Sequence, residues 1–283
     1  MRLANLHGRL IVAHDGNEFV DLALASEGRF DHDPQAIYER WDEFVAWSAG
    51  ATGDHAETID AERLGPPLPR PRQVFAVALN YRDHATETGA QAPAVPQIFT
   101  KFPSCLAGPH TSVSLPSEFV DWEVELVVAI STRAHRVASE RAWDHVAGVM
   151  VGQDISARDV QRSSPTPQFS LGKSFPGFGP TGPWLVTVDE FGDGDAELEC
   201  LRNGERVQHA STGDMIFTVA ELIAHISAIT PMLPGDLLFT GTPSGVGLAR
   251  DPAVFLRDGD VVVSRIARIG EITQRFVGGR SER

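Results

Sequence analysis

Cysteine is scarce. Cys105 and Cys200 are the only two in 283 residues. Their spacing matches no zinc motif, and they supply no disulfide framework of the kind that staples small secreted domains. The two could in principle pair, but two buried thiols in a reducing compartment is the expectation. Long apolar runs are missing as well. VFAVAL (74–79) and LVVAI (126–130) are far too short to span a bilayer. The opening stretch MRLANLHGRLIVAHDG holds no uninterrupted apolar core of signal-peptide length. Cytoplasm is therefore the expected location, and no membrane is expected as a partner. Positive charge is also lacking, since 24 Lys and Arg against 38 Asp and Glu leave a formal charge of −14. Non-specific nucleic-acid binding needs a basic field, so this balance argues against it. The acidity reads first as solubility. It does not forbid an anionic substrate, because a metal and a few Lys or Arg can reverse the sign locally.

What is present fits a globular chain of one large domain, or a large and a small one. Hydrophobic residues make up 42% and charged residues 22%, while 26 Gly and 19 Pro punctuate short apolar runs. That pattern favours many short strands and turns over a helical bundle. A β-hairpin is expected in residues 1–22, with its turn at His14-Asp15-Gly16-Asn17. Residues 34–48 carry Ile37, Trp41, Phe44, Val45 and Trp47 near helical spacing. The proline-rich stretch LGPPLPRPR (64–72) reads as a stiff connector. It divides a small N-terminal α+β domain, residues 1–65, from a catalytic domain, residues 66–283. Strands are expected at 74–80, 121–130, 149–156, 184–188, 197–201, 205–209, 236–241 and 261–266. Asn203-Gly204 is a strong hairpin signal. Helices are expected at 81–89, at 139–147 with Ser139 as N-cap, and at 218–229. The fold class is mainly β with flanking helices (α+β).

Glu123 and Glu125 lie two apart in an expected strand, so their side chains leave one face. Two adjacent carboxylates repel unless something positive lies between them. A hard cation such as Mg²⁺ or Mn²⁺ suits them, because it prefers oxygen ligands; a solvated strand face is the bland alternative. Asp154 closes the apolar strand VMVGQD, where a third carboxylate can converge on the same site; the alternative is a turn or N-cap residue before Ser156. No His shares this spacing, which disfavours zinc. His84 and Glu87 are three apart in a helical stretch and share a face. They suit a general acid/base pair, or an ordinary surface pair. Lys173 sits among glycine-rich turns. It can approach a carboxylate or enolate oxygen there, or simply be an exposed loop lysine. The loop Thr240–Gly247 can present backbone N–H groups to an anion. It lacks a P-loop lysine and a following helix, so nucleotide binding is not expected.

Five segments in order resemble the fumarylacetoacetate hydrolase superfamily over roughly residues 73 to 277. They are Asn80-Tyr81-Arg82-Asp83-His84, Val120–Leu126, Gln153–Gln161, Gly172-Lys173-Ser174-Phe175, and Thr240-Gly241-Thr242-Pro243 with Gly245-Val246-Gly247. The resemblance implies a mixed β-sandwich or barrel-like roll and a homodimer. It implies Mg²⁺ or Mn²⁺ on Glu123, Glu125 and Asp154. His84 and Glu87 would ride on a lid and activate water. Lys173, Arg158 and Gln161 would contact substrate oxygens, and Gly241 and Thr242 would line the far side of the pocket. Gln153 stands where relatives often have Asn, and Pro176 where they often have Asp; both bear on the substrate more than on the metal.

The implied substrate is a small 2-oxo acid, with the metal stabilising an enolate. C–C hydrolysis of a β-diketo acid, of the acylpyruvate or fumarylpyruvate type, is the first expectation, in a setting of aromatic catabolism. The alternative is an isomerase, tautomerase or decarboxylase of an oxaloacetate or 2-hydroxyhepta-2,4-dienedioate type of substrate. A metal-dependent dicarboxylate-binding module is the non-enzymatic alternative; it would have no need of the His84–Glu87 pair.

Overall fold

The structure is a computed structural model and describes residues 1–13, 18–48, 57–58, 60–192 and 194–278. Among them the strands form sheets of twelve, five and two strands, flanked by short helices. The mainly β expectation is met.

The central strand Val124–Ile130 is buried along its whole length. Antiparallel Val146–Gln153 lies on one side of it and Leu237–Phe239 on the other. Both faces of this strand are covered, which is why its sequence is a continuous apolar run rather than an alternation. Leu126, Val128 and Ile130 join Val149 and Val151 in one core, packed against Leu198, Cys200, Val262, Ile272 and Phe276. These last five come from the five-stranded sheet, whose strand order is Glu205–Ser211, Glu197–Arg202, Val261–Ile266, Gly270–Gly278, His110–Leu115. Val127, Ala129 and Met150 face the other way, into a second core with Phe239, Val74, Leu185, Val12, Trp41 and Phe44. The N-terminal strand Arg2–Leu6 pairs with Gly179–Thr187, so the first residues extend the large sheet.

The first hairpin is present: Arg9–Ala13 pairs antiparallel with Glu18–Asp21. Its expected turn, residues 14–17, lies outside the described residues. At the Asn203-Gly204 hairpin both turn residues have positive φ (53° and 82°), as a type I′ turn requires. Helix Val219–Ile229 opens on a capping box in which Thr218 and Glu221 each accept the other's backbone N–H. Cys105 and Cys200 are both buried free thiols.

Several readings shift. Residues 34–48 begin as a 3₁₀ turn at Ala36–Arg40 before the α-helix Trp41–Ser48. Ser139–His145 is also 3₁₀, and Ser139 is its first residue rather than its cap; Ala138 takes the cap position with no side-chain hydrogen bond. The strand expected at 184–188 starts earlier, at Gly179, and runs through two prolines. Gly270–Gly278, not anticipated at all, is a nine-residue strand.

Phe44 is 0% exposed and ties helix Trp41–Ser48 to the second core. Phe44→Ala is expected to lower the unfolding free energy by about 3–5 kcal/mol in a urea titration. A loss under about 1 kcal/mol would remove this helix from the load of the core.

Candidate active site

Strand register brings the three carboxylates together. Glu125 stands opposite Gly152 across the antiparallel pair. Two residues along, the Asp154 N–H donates to the Glu123 carbonyl at 2.9 Å. Side chains two apart leave one face, and so do those directly across a pair. Glu123, Glu125 and Asp154 therefore share the face of Val127 and Ala129, at the end where the apolar run gives way. All three are buried, and ligand oxygens from each lie within 4.8 Å of one another. The donor set is all oxygen, which fits a hard divalent cation such as Mg²⁺ or Mn²⁺.

The strand expected over 121–130 is interrupted at Trp122 and Glu123. Two buried glutamine side chains replace the missing ladder. The Glu123 N–H donates to Gln153 Oε1 at 2.8 Å, and the Val124 N–H to Gln208 Oε1 at 3.0 Å. The Gln153 amide then donates to Ser264 Oγ at 2.8 Å, and that of Gln208 to Thr242 Oγ1 and the Pro243 carbonyl, both at 2.9 Å. Gln153 thus fixes the backbone of a site carboxylate rather than facing a ligand.

Cations surround the carboxylates. Lys173 Nζ donates to Glu123 Oε2 at 2.6 Å and to Asp154 Oδ2 at 2.5 Å. Arg158 lies 2.8 Å from Glu123 Oε1 and forks onto Asp121 Oδ2 at 2.9 and 2.7 Å. It also donates to Gln161 Oε1 at 3.3 Å. Gln161 Nε2 is buried with no partner among the described residues. Lys101, which the sequence reading missed, is 1% exposed and donates to Asp154 Oδ1 at 2.7 Å. A lysine at the end of the short strand Gln97–Thr100 carries no compositional mark of burial, since most lysines are exposed. Asp121 was also missed as a functional group, although it lies inside a quoted motif.

The glycine-rich loop does present N–H groups to anions, and these are the protein's own carboxylates. Gly241 N–H donates to Glu125 Oε2 (2.8 Å), Gly245 N–H to Glu87 Oε2 (2.8 Å) and Gly247 N–H to Asp121 Oδ1 (2.7 Å). Gly241 has φ +97°, and a Cβ there would stand 2.7 Å from Asn80 Cβ. Thr242 donates its hydroxyl to the Val124 carbonyl at 2.9 Å. Helix Arg82–Glu87 brings His84 Nδ1 within 2.7 Å of Glu87 Oε1. Glu87 is thus held by His84 at one oxygen and by Gly245 at the other.

The electrostatics split the carboxylates. Burial would raise Glu123, but Lys173, Arg158 and His84 outweigh it and hold its pKa at about 2. Among the described residues Glu125 has no direct cation: burial first, then Asp154 and Glu123, push it well above the ordinary carboxylate range. Burial works against the Lys173 charge, yet Asp154 and Glu123 raise its pKa and keep it an ammonium.

Comparison with known proteins gives a consistent result. Residues 73–277 match the family described as Fumarylacetoacetate (FAA) hydrolase C-terminal. A human protein named oxaloacetate tautomerase FAHD2A, mitochondrial, is 44% identical over 214 residues, covering 75% of this chain and 68% of its own. A Mycobacterium smegmatis structure under the name HpcE superposes with TM-score 0.94 at 51% identity, covering 99% of this chain and 100% of its own. Maleylpyruvate hydrolase from Sphingobium sp. SYK-6, solved with manganese(II) and pyruvate, gives TM-score 0.78 at 28% identity, covering 99% and 100%.

A cation binding here needs Glu125 ionised, and Glu125 holds its proton to an unusually high pH. Metal uptake should therefore release a proton, and affinity should rise with pH through the range where Glu125 titrates and level off above it. Calorimetry of Mg²⁺ or Mn²⁺ binding in two buffers of different ionisation enthalpy measures this directly. Glu125→Gln is expected to weaken binding severely, and zero proton release in the unmodified protein would refute the assignment.

Proposed function

Since this chain belongs to the fumarylacetoacetate hydrolase family, we propose that it is a divalent-metal-dependent tautomerase of a small 2-oxo dicarboxylic acid of the oxaloacetate type. The observation that carries this reading is the 44% identity over 214 residues to a relative named as an oxaloacetate tautomerase. The charge of the site agrees with it. Five carboxylates (Glu87, Asp121, Glu123, Glu125, Asp154) face three cations (Lys101, Arg158, Lys173), leaving two net negative charges when all are ionised. A divalent ion offsets both and removes the repulsion a dianion would meet.

Glu123, Glu125 and Asp154 would hold Mg²⁺ or Mn²⁺. When bound, the ion would draw charge from the 2-oxo oxygen and so make the neighbouring C–H more acidic. Keto–enol interconversion takes one proton from C3 and delivers one to the 2-oxo oxygen; no bond between heavy atoms breaks and no water is consumed. His84 suits the proton exchange. Its Nδ1 is committed to Glu87, which leaves Nε2 as the exchanging atom. Lys173 would offer its ammonium to the developing oxyanion. Gln161 has the unspent donor for a substrate oxygen, beside Arg158. Gly241 and Thr242 would line the far side. Cytoplasmic location and a homodimer complete the reading. Among the described residues no helix is long and apolar enough to cross a membrane.

C–C hydrolysis, the first expectation from the sequence, becomes the second reading. It is favoured by the 28% identical Sphingobium maleylpyruvate hydrolase. The two differ in whether water is consumed.

The test follows decay of the enol absorbance of oxaloacetate with Mg²⁺ or Mn²⁺, against a protein-free control, alongside acylpyruvates with products resolved by mass. Rapid enol–keto conversion is expected. His84→Ala should lower its rate by about a hundredfold or more while Mn²⁺ affinity stays unchanged. Acylpyruvate cleavage with no acceleration of tautomerisation would reverse the order of the two readings.

A further inference from the structure

Lys101 is a charged side chain at the site that the proposed chemistry leaves without a task. Its ammonium has three acceptors: Asp154 Oδ1 at 2.7 Å, the Phe178 carbonyl at 3.2 Å, and the Lys173 carbonyl in a short hydrogen bond. The residue is 1% exposed. Its ammonium lies 5.6 Å from the Phe239 ring centroid, and its stem passes close to Gly179, where an added Cβ would stand 3.3 Å from Lys101 Cε. The surrounding chain has made room for this lysine.

Burying an ammonium is costly unless it is fully paired, so the group must be offset where it sits. The two oxygens of Asp154 are divided between two lysines. Oδ1 faces Lys101, and Oδ2 faces Lys173, whose ammonium also holds Glu123 Oε2. One ammonium thus grips the carboxylate of the triad and, through the Lys173 carbonyl, the backbone of the second lysine.

We propose that Lys101 is a positioning residue: it reserves Asp154 Oδ1, so that only Oδ2 is offered to the cation, and it anchors the backbone from which Lys173 reaches the substrate. The proposal rests on the reading that the triad holds a divalent ion. It has two signed consequences. The fixed positive charge behind Asp154 repels the ion and weakens its binding, which keeps the site from becoming a closed carboxylate cage. The same charge fixes Lys173, so losing it should affect turnover more than substrate affinity.

The experiment uses the full chain with Lys101→Gln, which keeps a donor but no charge, and with Lys101→Arg, which keeps the charge. Mn²⁺ binding is followed through the electron paramagnetic resonance of the free ion. Lys101→Gln should bind Mn²⁺ about tenfold more tightly or better, because a unit positive charge has left a buried position beside the ion. Lys101→Arg should bind like the unmodified protein. In Lys101→Gln, kcat for enol–keto conversion should fall by about tenfold while KM moves less than about threefold, since Lys173 is displaced and the substrate's other contacts are kept. Unchanged or weaker Mn²⁺ binding in Lys101→Gln overturns the proposal. If that variant does not fold, a crystal structure of the Mn²⁺-loaded unmodified protein decides. Asp154 bound through Oδ2 alone supports the proposal, and bidentate Asp154 overturns it. Unmodified protein that takes up no Mn²⁺ removes the metal-dependent function itself; Mn²⁺ uptake with no difference between variants removes only the role of Lys101.

Discussion

Negative charge packed into the protein interior governs this structure. Glu123, Glu125 and Asp154 are buried with oxygens within 4.8 Å of one another. Nothing in an apolar core favours such an arrangement, because each ionised carboxylate loses its hydration and gains two repelling neighbours. The surroundings are organised as compensation. Lys173 bridges Glu123 and Asp154, Lys101 takes the rear oxygen of Asp154, and Arg158 lies between Glu123 and Asp121. Three glycine N–H groups serve the carboxylates that face the loop. Compensation stops short at Glu125. Among the described residues it receives one backbone donor and no direct cation, and burial beside Asp154 and Glu123 pushes its pKa well above the ordinary carboxylate range. A divalent ion would remove that remaining imbalance.

The fold is what makes the crowding possible. A side chain placed by register on a doubly covered sheet cannot swing out to solvent, so the antiparallel pairing of Val124–Ile130 with Val146–Gln153 confines the triad. The ladder has to stop at Glu123, or its neighbours would be held to regular strand geometry. Gln153 and Gln208 let it stop without leaving buried N–H groups unpaired. These two amides belong to the site as much as the carboxylates do, although neither faces the cavity as a charged group.

Much of this was legible in the sequence, and the illegible part has a physical cause. Glu123 and Glu125 announced a shared face through their spacing, and His84 and Glu87 did so through helical spacing; the structure brings the second pair to 2.7 Å. The strands of the central sheet were readable because short apolar runs bounded by turn residues suit buried strands. Partnership across the sheet was not readable. That Asp154 falls opposite Glu123 depends on register, and register depends on the whole sheet. Lys101 is the plainest case. Its burial comes from the space left at Gly179 and from carbonyls of residues 173 and 178, more than seventy positions away in the chain, none of which marks residue 101 itself. The strand near Trp184 was expected only from residue 184, whereas Gly179–Thr187 begins five residues earlier and runs through Pro180 and Pro183.

The same arrangement suits both proposed readings, tautomerisation and C–C hydrolysis. Each chemistry needs negative charge to build up on an oxygen beside a 2-oxo carbon, and the carboxylate cluster with its lysines is suited to that common step. The two then diverge over one requirement. A proton shift needs an exchanging group near C3, whereas hydrolysis also needs water delivered to a second carbonyl. The residues at issue lie at the rim, where His84 and Glu87 are latched to the loop through Gly245. With Glu87 held at both oxygens, the pair is well set to move a proton along a fixed direction. It is less free to receive, orient and release a water molecule, because that would compete for the same carboxylate. On the proposed tautomerase reading, the feature that separates the two chemistries is this latch, more than the carboxylate cluster.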